Sequence, residues 1–225
     1  MKSTNAARIT IAKNGPYLVS GEIPLAEQHI VTNAEGDSLE WREGKKFEHE
    51  AQFALCRCGH SSKKPFCDST HKKIGFDGTE TASREPYEEQ AATTEGPTMD
   101  LKDAESLCAF ARFCDPKGQV WNLVEQTDRP EARKLVEHEA GHCPSGRLIA
   151  VDRKTGRELE PHHEPSIGLV VDTLKRVNGP LWVRGGIPVV GADGREYEVR
   201  NRVTLCRCGR SSNKPLCDGS HAAGA

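Results

Sequence analysis

Short runs of alternating apolar and polar residues, separated by Gly, Pro, Asn and Asp, occupy both ends of the chain. Residues 9–11, 17–19 and 53–55 in the first part, and 181–183, 197–199 and 203–205 in the last, are rich in β-branched, aromatic and leucine side chains between turn residues, which predicts short β-strands. At each end the last strand leads into a cysteine-rich loop. The middle differs. Residues 79–96 are acidic and poor in apolar side chains, as a linker or exposed loop is. From Asp100-Leu101-Lys102-Asp103 to residue 113 apolar positions recur three and four apart, which predicts a helix, and residues 130–140 predict a second, stopped by Gly141. The pattern predicts an α+β protein with small β-rich modules at residues 1–88 and 172–225 around a small α-rich module at residues 89–171.

The two ends repeat one another. Asn14-Gly15-Pro16-Tyr17-Leu18-Val19 parallels Asn178-Gly179-Pro180-Leu181-Trp182-Val183, and Gly21-Glu22-Ile23-Pro24-Leu25 parallels Gly185-Gly186-Ile187-Pro188-Val189. The glycines are offset by 164 positions and the cysteines by 150, so the first copy holds fourteen extra residues around His29 to His49, which a surface loop can absorb.

Composition narrows the chemistry. The 225 residues exceed one typical domain but are few for three full hydrophobic cores. With 36% hydrophobic and 5% aromatic residues and a mean hydropathy of -0.63, the chain is lean for apolar packing alone, and bound metal is a natural supplement. A net charge of -2 from 31 basic and 33 acidic side chains gives no electrostatic case for nucleic acid or an anionic membrane. No apolar run matches a secretory leader or approaches the roughly 18 residues of a membrane span, so a soluble, cytoplasmic protein is expected. Six of the nine cysteines lie in two C-x-C-x8-C units. In a reducing compartment such clustering favours metal ligation over disulfides, and a C-x-C disulfide would be strained.

Each unit ends in a histidine: Cys56-x-Cys58-x8-Cys67-x3-His71 and Cys206-x-Cys208-x8-Cys217-x3-His221. The last two ligands stand at i, i+4, so a short helix beginning near Asp68 or Asp218 puts both on one face, with the carboxylate accepting exposed backbone N–H groups and Pro65 or Pro215 fixing the approach. Three thiolates and one imidazole suit a structural zinc ion, and spacing alone leaves the metal open.

The stretch from Cys206 to His221, closing in Cys217-Asp218-Gly219-Ser220-His221, resembles the signature of the CDGSH iron–sulfur domain, the family of the NEET proteins. The resemblance implies one 2Fe-2S cluster per motif, with Cys56 and Cys58, or Cys206 and Cys208, on the inner iron and Cys67 with His71, or Cys217 with His221, on the outer one. It also implies that the two copies form an intrachain pseudo-dimer. The first copy departs from the signature at Ser69, where the second has Gly219. That departure bears on backbone packing more than on ligation. A neutral histidine in place of a fourth thiolate removes one negative charge, which favours reduction, and its protonation offers a route to cluster release. Arg57 and Arg207, between the paired cysteines, either offset cluster charge or are solvated.

The other three cysteines follow a different spacing, Cys108-x2-Ala111-x2-Cys114 and then Cys143-Pro144. A bacterial ferredoxin has a cysteine where Ala111 stands. The pattern is similar to 3Fe-4S ferredoxins and to the divergent mono-cluster ferredoxin domain, implying a ferredoxin-like module with a 3Fe-4S cluster on Cys108, Cys114 and Cys143. The alternative is a 4Fe-4S cluster whose fourth iron takes Asp115, His142 or solvent. The bland reading is three small buried hydrophobes. His162 and His163 lie in a polar, proline-bounded loop expected to be solvated, His29, His49, His60 and His138 read as surface residues, and Trp41, Trp121 and Trp182 as local core. No phosphate loop, nucleophile triad or nucleotide fingerprint appears, so no substrate chemistry is expected. The expected protein is an electron carrier working with redox partners. The competing expectations are cluster transfer to apo-acceptor proteins and a zinc-stapled interaction module, as a monomer with an internal pseudo-dimer or a homodimer.

Overall fold

The computed structural model describes residues 7–223; residues 1–6, at the start of the stretch without a leader run, and residues 224–225 lie outside the described residues. In chain order the strands are β1 (Arg8–Ile11), β2 (Tyr17–Ser20), β3 (Leu25–Thr32), β4 (Ser38–Lys46), β5 (Gln52–Leu55), β6 (Ala92–Glu95), β7 (Met99–Asp103), β8 (Leu148–Asp152), β9 (Arg157–Glu158), β10 (Ser166–Asp172), β11 (Val177–Arg184), β12 (Val189–Val190) and β13 (Arg202–Leu205). The helices are α1 (Thr70–Lys73), α2 (Tyr87–Gln90), α3 (Val120–Val124) and α4 (Pro130–His142). Most of the regular structure is β.

The repeat builds two antiparallel three-strand units, β1-β2-β5 and β10-β11-β13, and each is completed by a strand from the other end of the chain. Strand β12 joins β1 in parallel, Ile9 opposite Val189. Strand β3 joins β10 in parallel, Ile167 opposite Leu25. Parallel pairing needs a crossover, and the intervening chain supplies it. Alternate residues of both units then face inward, so Ile9, Tyr17, Leu25 and Leu55 share one core with Ile167, Leu181, Val189 and Leu205. Neither repeat encloses this core alone.

Several expectations change. The fourteen additional residues lie within the β3–β4 hairpin, which extends the second sheet by antiparallel pairing with irregularities between Ala26 and Gln28 and between Val31 and Thr32. Residues 197–199 are not a strand; the one ladder contact there is an isolated bridge between Val190 and Glu196. The 79–96 segment is docked rather than free: Thr81 and Ala82 donate to the Lys214 carbonyl, Tyr87 is buried, and β6 starts at Ala92. Drawn at residue 172, the start of the last module cuts β10, whose six preceding residues already belong to the outer sheet.

The middle segment is a sheet, β6-β7-β8-β9, packed against α3 and α4, rather than an α-rich bundle. Helix α4 forms where predicted. The helix expected over 100–113 does not: Met99 and Leu101 are buried at period two in β7, and after a 3-10 turn (Glu105–Leu107) the burial of Ala109, Ala111 and Phe113 again alternates. The positive φ values of Phe110 and Arg112 forbid a helix there.

At the centre of the outer body the two C-x-C-G segments approach backbone to backbone. Gly59 and Gly209 have φ of +79° and +78°, and a Cβ on either would collide with the carbonyl of Cys208 or Cys58 in the other repeat. Gly59→Ala and Gly209→Ala are each expected to destabilise the fold by roughly 2–5 kcal/mol, the left-handed backbone and the overpacking adding together. Chemical denaturation of each variant against Gly186→Ala, whose φ is +69° but whose Cβ meets only a side chain 3.8 Å away, separates the two contributions.

Candidate metal centres

Each outer cage begins where a strand ends. The Cys56 and Cys206 N–H groups donate to the carbonyls of Pro65 and Pro215, and the Cys67 and Cys217 N–H groups to those of Ala54 and Thr204, folding the loop back on β5 or β13. Ser61 and Ser211 donate to Phe66 and Leu216 carbonyls at 2.6 and 2.7 Å. Asp68 accepts from Ser62 N–H and Thr70 N–H, as Asp218 does from Ser212 and Ser220. Hydrogen bonds from Thr70 and Ser62 hold the Asp68 carboxyl well below the usual carboxylate range. Helix α1 starts just after Asp68 as expected, whereas the second copy has a turn there.

The donor geometry repeats closely. Sγ atoms of Cys56 and Cys58 are 3.8 Å apart and those of Cys206 and Cys208 3.7 Å, while the Nδ1 atoms of His71 and His221 lie 3.4 and 3.5 Å from Sγ of Cys67 and Cys217. A tetrahedral metal with bonds of about 2.3 Å to sulfur and about 2.0–2.1 Å to nitrogen has S–S edges of about 3.8 Å and S–N edges of about 3.5 Å. Within each cage the Cys–Cys pair and the Cys–His pair are therefore each spaced as two ligands of one tetrahedral metal are.

Their electrostatics point the same way. Burial pushes the Cys217 thiol up to about 12 and the Cys58 thiol above its ordinary value. A hydrogen bond from Cys206 draws the Cys208 thiol down. Collecting buried thiols whose ionisation is opposed is unfavourable unless a cation takes their charge. Arg57 is fully buried rather than solvated; its Nη2 donates to Gly78 O at 2.6 Å, and Nε and Nη1 have no partner among the described residues. Arg207 donates to Gly179 O and Val170 O. A cleft lined by Glu27, Cys56, His60, Arg207, Cys208 and Arg210 lies between the cages. Tyr17 ties them together, donating to Cys206 O at 2.7 Å.

Cys108, Cys114 and Cys143 converge from a loop and the end of α4 on one cavity that also has Ala111, Pro144 and Arg147 in its wall. Burial, with Asp115 beside it, pushes the Cys114 thiol well above the ordinary thiol range. Of the alternative fourth ligands, Asp115 has an oxygen 3.6 Å from Cys114 Sγ. His142 turns away; its Nε2 meets Glu40 at 3.0 Å and its ring stacks on His138. His138 is thus tied to the β4 hairpin, its Nε2–H donating to Leu39 O. His162 is exposed beside Glu164, whereas His163 turns inward against Trp182. Trp41 stacks on Phe113 and Trp182 at ring separations of 4.8 and 4.7 Å, a core role.

Two residues carry no spacing signal and emerge only from the fold. Arg202, 1% exposed, donates from Nη1 to the carbonyls of Ala140, Gly141 and Cys143 and from Nη2 to Glu160, closing the end of α4 at a site cysteine. A cation at a helix C-terminus also meets the negative end of the helix dipole. Glu139, one turn before Cys143, is buried, and neither carboxylate oxygen is hydrogen-bonded among the described residues.

The sequence profile of the family described as an iron-binding zinc finger of the CDGSH type matches residues 14–72 and 178–222, and that of the divergent 4Fe-4S mono-cluster family matches residues 94–153. No curated protein matches the chain.

Two outcomes are expected of the buried ion and the buried acid. Arg202→Met should cost about 3–5 kcal/mol of stability, because Glu160 loses its cationic partner and the carbonyls of Ala140, Gly141, Cys143 and Leu148 lose a donor together, and Arg202→Lys should not restore it; urea unfolding checks both. Burial pushes the Glu139 carboxyl up from 4.5 to about 8, so the folded state holds its proton while the unfolded chain releases it. Stability is therefore lost as pH rises through that window, and Glu139→Gln should stabilise near pH 8 with little effect near pH 4.

Proposed function

From the premise that the chain is an iron–sulfur protein with two CDGSH-type regions flanking a divergent 4Fe-4S mono-cluster region, we propose that it carries three clusters and passes single electrons between protein partners. Each outer cage takes a 2Fe-2S cluster on three cysteines and one histidine: Cys56, Cys58, Cys67 and His71 in the first, Cys206, Cys208, Cys217 and His221 in the second. The middle cysteines take a 3Fe-4S cluster. The observation that carries this reading is the convergence of all nine cysteines on three sites, none of them paired as a disulfide.

Bound clusters would supply one-electron chemistry, and the chain decides how readily. Histidine ligation lowers the negative charge that an added electron meets and raises the potential. Neutral imidazole is available for ligation, since burial draws His221 down to about 4. The reciprocal strand exchange supports an intrachain pseudo-dimer, in which duplication provides the partner that a single repeat lacks. Its shared core would hold the outer sites at fixed separation, as electron transfer requires. We propose a carrier without a substrate site of its own, acting as a monomer. No helix among the described residues is long and apolar enough to cross a membrane.

Asp115 beside Cys114 supports a second reading of the middle site, a 4Fe-4S cluster completed by a carboxylate. The partial exposure of Cys67 supports cluster donation to apo-acceptor proteins as a second role.

Anaerobically purified protein should contain about seven iron and eight acid-labile sulfide per chain, with a 3Fe-4S EPR signal that disappears with dithionite while 2Fe-2S signals appear. About four of each would leave only the outer pair, about eight of each would favour 4Fe-4S in the middle, and zinc in place of iron would defeat the redox reading. Reoxidation of the reduced protein by a one-electron acceptor should restore its visible spectrum in full. Passage of colour to an apo-acceptor at a comparable rate would favour the carrier of clusters over the carrier of electrons.

A further inference from the structure

The outer cages agree in their own geometry and differ in what lies against them. The histidines are almost equally covered, His71 at 9% and His221 at 7% exposure, so the difference comes from flanking contacts. The difference lies at the outer ligands: in the first copy Ser69 is exposed and Cys67 partly so, whereas at the inner pair Cys58 is buried and Cys208 partly exposed. In the second copy Cys217 is 2% exposed, and a Cβ on Gly219 would stand 3.1 Å from Cβ of Phe110 and 3.8 Å from the carbonyl oxygen of Cys108. Phe110 and Cys108 belong to the loop that supplies two thiols of the middle site. The C-terminal motif thus lies close against the loop of the middle site.

Three more contacts join the middle segment to this motif and to the end of β10, with no counterpart at the first motif among the described residues. Arg112 Nη1 donates to Asp172 Oδ2 at 2.6 Å, at the end of β10. Asn213 Nδ2 donates to Ser106 O at 2.9 Å, where the first copy has an exposed Lys63. Leu216 packs against the cluster of Tyr87, Ala104, Leu107 and Ile149, whereas its counterpart Phe66 meets Phe47 and Phe53 of its own half. The loop pays for this seat in backbone strain: Phe110 and Arg112 hold φ of 59° and 62°, which costs about 1–2 kcal/mol each. Such strain persists only where surrounding contacts hold it.

We infer that the 108–114 loop is a cap specific to the C-terminal motif. It shields that site and couples it to the middle one, and it leaves the N-terminal motif as the open site through which the protein exchanges with its surroundings. The inference rests on the iron–sulfur reading above and adds a division of labour between two sites with identical ligands. The glycine of the second motif is required by the cap, and the serine of the first is tolerated because that position is exposed among the described residues.

Loss of visible absorbance from the loaded, full-length protein in excess EDTA tests this. Two phases are expected from the 2Fe-2S sites, the fast one several-fold faster; His71→Cys should abolish the fast phase and His221→Cys should leave it. Gly219→Ser, which puts a side chain where Phe110 packs, should bring the slow phase toward the fast one, while Ser69→Gly should change neither. Hydrogen exchange of the loaded wild-type protein gives a second readout, with the amides of residues 217–221 more protected than those of 67–71 and Phe110→Gly reducing protection only at the former. An iron-loaded protein with a single phase, with the fast phase assigned to His221, or with equal protection at both motifs overturns the cap and leaves the iron–sulfur reading standing. Zinc in place of iron overturns both.

Discussion

The mutual approach of Cys58-Gly59 and Cys208-Gly209 is the constraint on which the remaining geometry depends. Two backbones can come this close only where neither residue has a Cβ and both adopt positive φ. Each glycine follows the inner cysteine pair of its own cage, so the contact that joins the repeats also fixes the distance between the cages. Strands β3 and β12 then cross to the opposite unit and give it a fourth strand. Tyr17, completely buried, closes the arrangement by bonding the carbonyl of a ligand cysteine in the other repeat. Ligand placement and assembly of the outer body are one event.

The cages are energetically incomplete without a cation. Buried thiols with raised pKa, an imidazole drawn toward neutrality and a buried guanidinium with two unpartnered donors are each unfavourable, and together they describe a site whose stability is linked to what it binds. Lean apolar composition fits that linkage. The outer core is one shared cluster of short strands, and metal ligation where the two motifs meet would supplement it.

The middle segment breaks the symmetry. Its cysteine loop sits against the second motif through Phe110, Arg112 and Ser106, and its helix α4 is closed by Arg202 from β13 of the same outer repeat. Both links run to the C-terminal half. Duplication supplies two equal sites, and the inserted module makes them unequal by covering one.

The ligand sets and the repeat were legible because metal sites of this kind are local: four donors within seventeen residues must converge whatever surrounds them. Five of the six short outer strands were legible for a similar reason, since alternation and turn residues act over a few positions. The strand order was not, because pairing β12 with β1 and β3 with β10 depends on a core that forms only when both ends of the chain meet. The fate of residues 100–113 was also beyond local reading: apolar residues spaced three and four apart also include a period-two set, and burial against β8 and the second motif selected the latter. Spacing likewise allowed His142 as a ligand, and only the position of Glu40 on the β4 hairpin turned it away. By itself the sequence determined which side chains stand at metal-ligand spacing and that two such groups repeat. Tertiary structure decided which sites touch and which one is left open, because those contacts join residues more than a hundred positions apart, such as Asn213 and Ser106 or Gly219 and Phe110, whose proximity no local pattern encodes.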